Sequence, residues 1–534
     1  MPDPGGHVSH PSTSPWRPLR IPLFRNLLIA DLVSDIGAFM QTVGAAWLMT
    51  TLTSSSLFIA LIQTASALPF FLLALPAGSL GDIFDRRKLV LGTETWMFAI
   101  AMVLAVVTFA GGMTPWLLLL LTLCLSLGDA IEAPTWRAIF PELVTKDDLT
   151  PALALNGIEF NLARAVGPGL AGLIIAAVGV ATTFLFNALS FLGVIFVIFS
   201  WKRPARKSAL PAETLAGASA AAIRYVRYSP GIRTLLLRSG IVIFFSSSFS
   251  ALLPAVAKEL SKSALAYGLL LGFFGAGAVL GAVVLQRAGS KLSKEAIISV
   301  ATATFGAILL STAALHNLAL LCALMLIGGA AWTVLMSLFN VMVQDLAPDW
   351  VRARVLAAYL FVFQGSVAIG SALWGLAAEH TSVRTAFFLS GIGMGASVLL
   401  QFAFRLPSTA IDLSSWNHWG KLSMFEEHAT DLGPVLVTVK YVIDPAKGPD
   451  FLNEIYQYQR IRRRDGATRW GIYYDTESPN VYLETFLVDS WAEHQRQHDR
   501  FTVADRELEK RVLSYALEPA TASHYIYAKR TSHS

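Results

Sequence analysis

Twelve stretches of about twenty or more apolar residues recur along this chain, near 23–49, 55–80, 89–110, 115–135, 152–177, 181–201, 234–257, 264–286, 296–315, 318–343, 355–378 and 384–405. A helix rises ~1.5 Å per residue, so about twenty residues cross the ~30 Å hydrocarbon core of a bilayer. In lipid every backbone N–H and C=O must bond within the protein, which leaves helices or closed barrels, and runs of this length select helices. The chain therefore reads as an all-α polytopic membrane protein with twelve transmembrane helices, in two six-helix bundles on either side of a polar insert at 202–233. Composition agrees. Of 534 residues 54% are hydrophobic and 14% charged, where soluble domains carry about 25% charge.

Orientation follows from the cations. One set of loops and ends holds Arg17, Arg20, Arg25, Arg86, Arg87, Lys88, Arg137, Lys146, Lys202, Arg203, Arg206, Lys207, Arg224, Arg227, Arg233, Arg287, Lys291, Lys294, Arg352 and Arg354. The other holds Lys258, Lys262 and Arg384. The first set marks the cytoplasmic side, so both termini are expected in the cytoplasm and the protein in the inner, cytoplasmic membrane of the cell. Residues 1–20 read as a disordered lead without a cleavable signal.

Near residue 406 the composition changes. After a linker at 406–433, the stretch Val435 to Ile443 alternates as a strand, and Asp444-Pro445 opens a helix with Phe451, Leu452, Ile455 and Tyr458 at helical spacing. Strands near 468–475 and 481–488, a helix from Trp491 and a last strand near 523–529 complete a β-α-β-β-α-β order. The segment 434–534 thus reads as a C-terminal soluble, cytoplasmic α+β ferredoxin-like domain. The remaining boundaries are 21–201 for the first bundle and 234–405 for the second. Glycines at 272, 275, 277 and 281 suit close helix packing in the second bundle.

Several function classes drop out. Cys124 and Cys322 lie within apolar runs, so neither a disulfide framework nor a cysteine metal site is implied. No basic–aromatic cluster points to nucleic acid, and no phosphate-binding G-x-x-x-x-G-K-[ST] loop points to an ATPase. No cofactor is implied. His494 and His498 fall four apart on one helix face, as a metal pair would. With Arg496, Asp499 and Arg500 around them and no third ligand at a fixed spacing, they read as a solvated face.

Ionisable residues inside spans are functional candidates because leaving them in lipid is costly. Asp31 and Asp35 lie one turn apart on the first span, around mid-bilayer. Two carboxylates so close disfavour joint ionisation, which is what a proton carrier requires. The fourth span adds Asp129 and Glu132, and the fifth adds Glu159, Asn161 and Arg164. Asp31, Asp35, Asp129 and Glu132 are candidate proton-coupling groups, with Asp35 foremost. Glu159, Asn161 and Arg164 are a candidate charge network, in which Arg164 is expected to pair with Asp31, Asp35 or Asp129. The competing reading is a static ion network that holds the first bundle together. The second half offers Ser246, Ser247, Ser248, Trp332, Asn340 and Gln364 instead. Of these, Ser247, Trp332, Asn340 and Gln364 are candidates to line a substrate cavity, against plain helix–helix hydrogen bonding.

The turn between the second and third spans, Gly78-Ser-Leu-Gly-Asp82-Ile83-Phe-Asp85-Arg86-Arg87-Lys88, resembles the signature loop of the major facilitator superfamily. Gly78, Asp82, Arg86 and Arg87 match it; Ile83 and Asp85 depart from it. Pro141-Glu-Leu-Val144, Asn161-Leu-Ala-Arg164-Ala-Val-Gly167-Pro168 and Pro348-Asp349-Trp350-Val-Arg352-Ala-Arg354-Val355 resemble the enterobactin-exporter-like, or transmembrane secretion effector, group. The Gly-Pro at 167–168 with Gly172 is partly similar to the fifth-helix motif of drug–proton antiporters. The tail, with Arg463-Arg464-Asp465-Gly466-Ala467 and Ser490-Trp491-Ala492-Glu493-His494, is similar to extensions in longer members, and its order to antibiotic-biosynthesis monooxygenases.

The resemblance implies a secondary transporter and not an enzyme: proton-coupled export of a small amphipathic molecule, siderophore- or drug-like, by alternating access. Its expected partners are a small-molecule substrate, protons and the lipid bilayer, without nucleic acid. Self-association through the tail is a further expectation. The alternatives are an importer or facilitator of the same fold, a membrane-anchored monooxygenase-like protein acting through its tail, or a membrane scaffold.

Overall fold

The structure is a computed structural model that describes residues 14–74, 85–201, 223–288, 292–407, 412–416 and 432–528. Among these residues twelve helices are long and apolar enough to cross a membrane. They are α1 (Pro22–Leu52), α2 (Ser56–Leu73), α3 (Arg86–Phe109), α4 (Pro115–Leu143), α5 (Leu149–Val178), α6 (Ala181–Ser200), α7 (Pro230–Leu260), α8 (Ala264–Ala288), α9 (Lys294–Ala314), α10 (Leu318–Asp345), α11 (Arg352–His380) and α12 (Val383–Ala403, with a turn after Ser397).

Local chemistry sets the helix ends. Pro22 and Pro115 occupy first-turn positions, where a missing N–H costs nothing. The side chains of Ser55, Thr114, Ser293 and Ser382 each accept from a backbone N–H three residues on. Gly179, at φ 94°, closes α5 with its N–H on the Ile175 carbonyl. Several helices outrun their apolar stretches. In α4 the helix passes Pro134 and Pro141 to reach Leu143, well beyond the run ending near 135.

The chain forms two compact units. One comprises Met1–Leu210, Arg238–Leu338 and Leu360–Arg405; the other comprises Pro211–Leu237, Phe339–Tyr359 and Leu406–Ser534. In the first unit α1 packs on α5 and α6, α3 on α4 and α6, α2 on α4, and α9 on α12. Helix α5 also packs on α8. That crossing is tight because it is made of backbone: a Cβ built at Gly172 would lie 2.8 Å from the Gly268 Cα, and one at Gly275 would lie 3.0 Å from the Ala165 Cα. On another face of α8, added side chains at Gly277 and Gly281 would strike Leu326 and Ala330 of α10.

The second unit is built around a four-stranded antiparallel sheet: β1 (Val435–Val442), β2 (Thr468–Tyr474), β3 (Val481–Val488) and β4 (Thr521–Ile526), in the order β2-β3-β1-β4. The helix α13 (Gly448–Arg464) follows β1. Alternation on β1 buries Val435, Val437, Val439 and Tyr441, which meet Phe451, Ile455 and Tyr458 of α13. Where the sequence suggests one helix from Trp491, there are two, α14 (Trp491–Arg500) and α15 (Val503–Leu513). Thr502 separates them because it caps α15, its hydroxyl and backbone N–H both engaged with Asp505 in a capping box. The last strand also begins two residues earlier and ends sooner than the expected 523–529.

Buried charges in this unit are paired. Arg464 forks onto Asp465 (2.8 and 3.0 Å) and Asp505 (3.0 and 2.7 Å). Glu484, fully buried, accepts from Tyr441 (2.9 Å), Trp470 (2.8 Å) and Arg462 (3.2 Å). The same unit includes the segments before α7 and between α10 and α11, and the tail grips both. Glu493 of α14 accepts from Arg224 (3.0 Å) and Arg500 (2.6 Å), and the Arg500 guanidinium lies over the Trp350 ring at 4.8 Å. Tyr225 packs edge-on against Trp350 and donates to the Leu346 carbonyl (2.8 Å).

Candidate functional site

The acids expected inside the spans gather in the first unit. Asp31 is buried on α1, and Asn156 of α5 bridges it to Glu159, with Nδ2 3.4 Å from Asp31 Oδ2 and 3.3 Å from Glu159 Oε2. On α4, buried Glu132 accepts from the Thr93 hydroxyl of α3. Asp31 feels the charges of Asp35, Glu159 and Glu132, and Asp129 feels that of Asp35.

A sixth acid completes the group. Glu94, buried on α3, lies within hydrogen-bonding reach of Glu132 and feels the charges of Asp129 and Asp31. Glu94 carries the same signal in sequence as the others, a carboxylate inside an apolar run, though it is not among the acids singled out above. Helices α1, α3, α4 and α5 thus each contribute acid to one cluster. Among the described residues none of the six is in an ion pair. One oxygen each of Glu94 and Glu159 is buried without a hydrogen-bond partner.

Arg164 does not join this cluster. It lines a cavity of about 260 Å³ bounded by α1, α2, α5, α7, α8, α9, α10 and α11. Ser247, Trp332 and Gln364 are among its lining residues. Gln63, Tyr267 and Phe39 line it as well, and nothing in their sequence setting marked them. One wall is a chain of rings, with centroids at 4.8 Å for Phe249–Phe274, 5.8 Å for Phe249–Phe305 and 5.6 Å for Phe305–Trp332. Asn340 is not among the lining residues; its amide oxygen accepts from Gln344 of its own helix (2.6 Å). Asn161 is exposed and donates to the Gly157 carbonyl (2.7 Å). Glu159, Asn161 and Arg164 therefore form no mutual network, contrary to the sequence expectation. They sit on one helix but face in different directions.

Of the signature loop, Gly78 and Asp82 lie outside the described residues. Arg86 donates to the Ala138 carbonyl (3.1 Å) and to Glu142 (2.9 Å). Arg87 donates to the carbonyls of Ile198 (3.1 Å) and Phe199 (2.5 Å). The two arginines tie the start of α3 to the ends of α4 and α6. Asp85 caps α3 by accepting from the Lys88 N–H (3.1 Å).

In the tail the histidines are not a solvated face. His494 is 3% exposed, its Nδ1 is 3.1 Å from Gln497 Oε1, and its Nε2 is 3.4 Å from His498 Nε2. His524 of β4 stacks beside His494, with centroids 4.7 Å apart. All three line a cavity of about 630 Å³ between the sheet and α15. Burial pushes His494 and His498 down to about 4, and lowers His524 as well. Among the described residues no three His, Cys, Asp or Glu side chains are arranged to hold a metal ion.

A family model described as "transmembrane secretion effector" matches residues 13–532 of this chain. A staphyloferrin A transporter of Staphylococcus aureus is 22% identical over 386 residues, which cover 72% of this chain and 96% of that protein. The multidrug efflux pump Tap of Mycolicibacterium fortuitum is 25% identical over 381 residues, covering 69% and 92% respectively. Among solved structures, a bacterial homologue of the human lysosomal transporter Spinster, in an inward-facing and unoccupied conformation, superposes with a TM-score of 0.55 at 14% identity. That match covers 74% of this chain and 97% of the other.

Proposed function

This chain belongs to the transmembrane secretion effector family of major facilitator transporters, and from that membership we propose that it exports a small amphipathic molecule, siderophore- or drug-like, in exchange for protons. The family consists of transporters, so the chain is a multi-pass membrane transporter and not an enzyme.

The observation that carries the proton part is the acid cluster. Buried carboxylates that have no cationic partner among the described residues are stable in a low-dielectric interior only if protons take up charge among them. Glu94 and Glu132, within bonding reach, can share a hydrogen bond only when one holds a proton. Asp35, Asp31, Asp129 and Glu132, with Glu94 added, are the coupling groups of this proposal. The cavity supports the transport part: its lining comes from helices of both halves, as a site exposed alternately to the two sides requires. Export is favoured over import by the multidrug efflux pump among the relatives.

The cation count of the loops supports an inner-membrane location with both ends in the cytoplasm. The helix packing supports two six-helix bundles meeting at α5 and α8. The strand order β2-β3-β1-β4, antiparallel throughout, supports a ferredoxin-like tail. Exposed Tyr473 and Tyr474 on one sheet edge and Tyr525 on the other support pairing between tails of two copies.

The test uses inside-out vesicles with a substrate found by screening a deletion strain against siderophores and toxic compounds. Uptake should need an imposed proton gradient, and Asp35→Asn should remove that dependence. Gradient-driven uptake that is unchanged in Asp35→Asn would discard the coupling role.

A further inference from the structure

Resting on the reading of the central cavity as the transport site, we propose that Arg164 is the counter-ion for a negatively charged group on an aromatic substrate. Arg164 is the cavity's only charged lining residue among those described, and the lining holds no carboxylate. It makes no ion pair and no side-chain hydrogen bond among the described residues. A guanidinium keeps its charge under all physiological conditions, so it cannot shed the cost of desolvation by losing a proton. In a membrane interior such a charge is paired or faces a polar ligand.

Its place in the fold is fixed. A Cβ built at Gly275 would lie 3.3 Å from the Arg164 carbonyl, so α8 passes directly against the backbone that carries it. The guanidinium therefore stands where a helix of the first half crosses one of the second. Around it the cavity offers aromatic faces from Phe249, Phe274, Phe305 and Trp332. Gln63 and Gln364 add amides that bond nothing else among the described residues. The serine hydroxyls are already spent on backbone carbonyls, Ser247 on Phe244 (2.7 Å) and Ser250 on Ser247 (3.2 Å). The set is one fork-shaped cation, two amides and a ring-lined wall. It fits a carboxylate or another oxyanion attached to a planar apolar body, and it disfavours a cationic amphipath of the same size.

The experiment measures binding of tritiated 1-naphthoate to the purified full-length protein in phosphatidylcholine vesicles by scintillation proximity, with no gradient. Unlabelled 1-naphthoate should displace it at least about tenfold better than neutral 1-naphthylmethanol or cationic 1-naphthylmethylamine. Arg164→Lys should weaken binding but keep the order of preference. Arg164→Met should make the three compounds nearly equal, and Arg164→Glu should favour the amine. Equal competition by all three in the wild type overturns the proposal, and so does a kept preference for naphthoate in Arg164→Met. Displacement by inorganic phosphate as strong as by naphthoate overturns the aromatic part. Loss of binding when phosphatidylglycerol is added assigns the cation to a lipid headgroup and overturns it too. Because binding is read without a gradient, failure of proton-driven export leaves this result intact, and the two readings fall separately.

Discussion

At the scale of single residues, the position of a charge along the chain shows its depth but not its bearing. Glu159 and Arg164 share a helix and both lie within the membrane span, which suggested one network. Five residues turn a helix through about 500°, leaving the two side chains about 140° apart, so one joins the acid cluster and the other faces the cavity. Asp31 and Asp35 escape this trap because four residues return them to nearly the same face. The tail histidines show the opposite limit. His494 and His498 looked solvated because charged neighbours surround them in sequence, yet α14 turns both rings inward, where His524 arrives from a distant strand. Their burial has a consequence for pH. Both are neutral in the folded tail until about pH 4, whereas an unfolded tail takes up protons below about 6.5. Stability should therefore be full above pH 6.5 and decline as pH falls from there toward 4. Calorimetry of the full-length protein should show the tail's melting temperature dropping over that window, and His494→Gln/His498→Asn should flatten the drop. An equal slope in the double variant would remove the histidines from the account.

At the scale of elements, the twelve spans were legible because lipid leaves a chain so few options, and the helices found agree with the apolar runs in number and place. Their ends were less legible. Charged Arg137 and Glu142 interrupt the apolar run, yet α4 continues through them to Leu143 because Ile139 and Phe140 are buried against its neighbours. The break between α14 and α15 hung on one capping residue, Thr502, inside a stretch that otherwise favours helix. The glycines of α8 were visible as a pattern, but only the packing separates their jobs. Gly275 meets α5, while Gly277 and Gly281 meet α10. In contrast, a Cβ at Gly92 of α3 would meet nothing within 4 Å. Gly277→Leu should force α8 and α10 apart and abolish transport. Gly92→Ala should leave transport intact and raise the thermal midpoint slightly, since glycine costs about 1 kcal/mol relative to alanine within a helix. Comparable loss in both variants, measured by uptake and by thermal unfolding, would mean that backbone contact at Gly277 does not matter.

At the scale of the whole molecule, the tail shares one compact unit with two segments from the helical part of the chain. Its helix α14 holds Arg224, which precedes α7, and Trp350, which lies between α10 and α11, through the Glu493–Arg500 pair. The side chains of Glu493 and Arg500 are largely out of water, so removing one strands the other, at a cost of about 3 kcal/mol. Glu493→Ala should expose the tail to limited proteolysis in the full-length protein, and Glu493→Gln should do so less. Unchanged protection in Glu493→Ala would show that other contacts suffice. There is also an order in time. Arg224 and Trp350 leave the ribosome long before Glu493 and Arg500 exist, so those two segments wait, unclasped, while the rest of the protein is being made. The fastening is translated after both segments, and a nascent transporter cut short before it would bear a Trp350 ring and an Arg224 guanidinium lacking these contacts, as marks of an unfinished product.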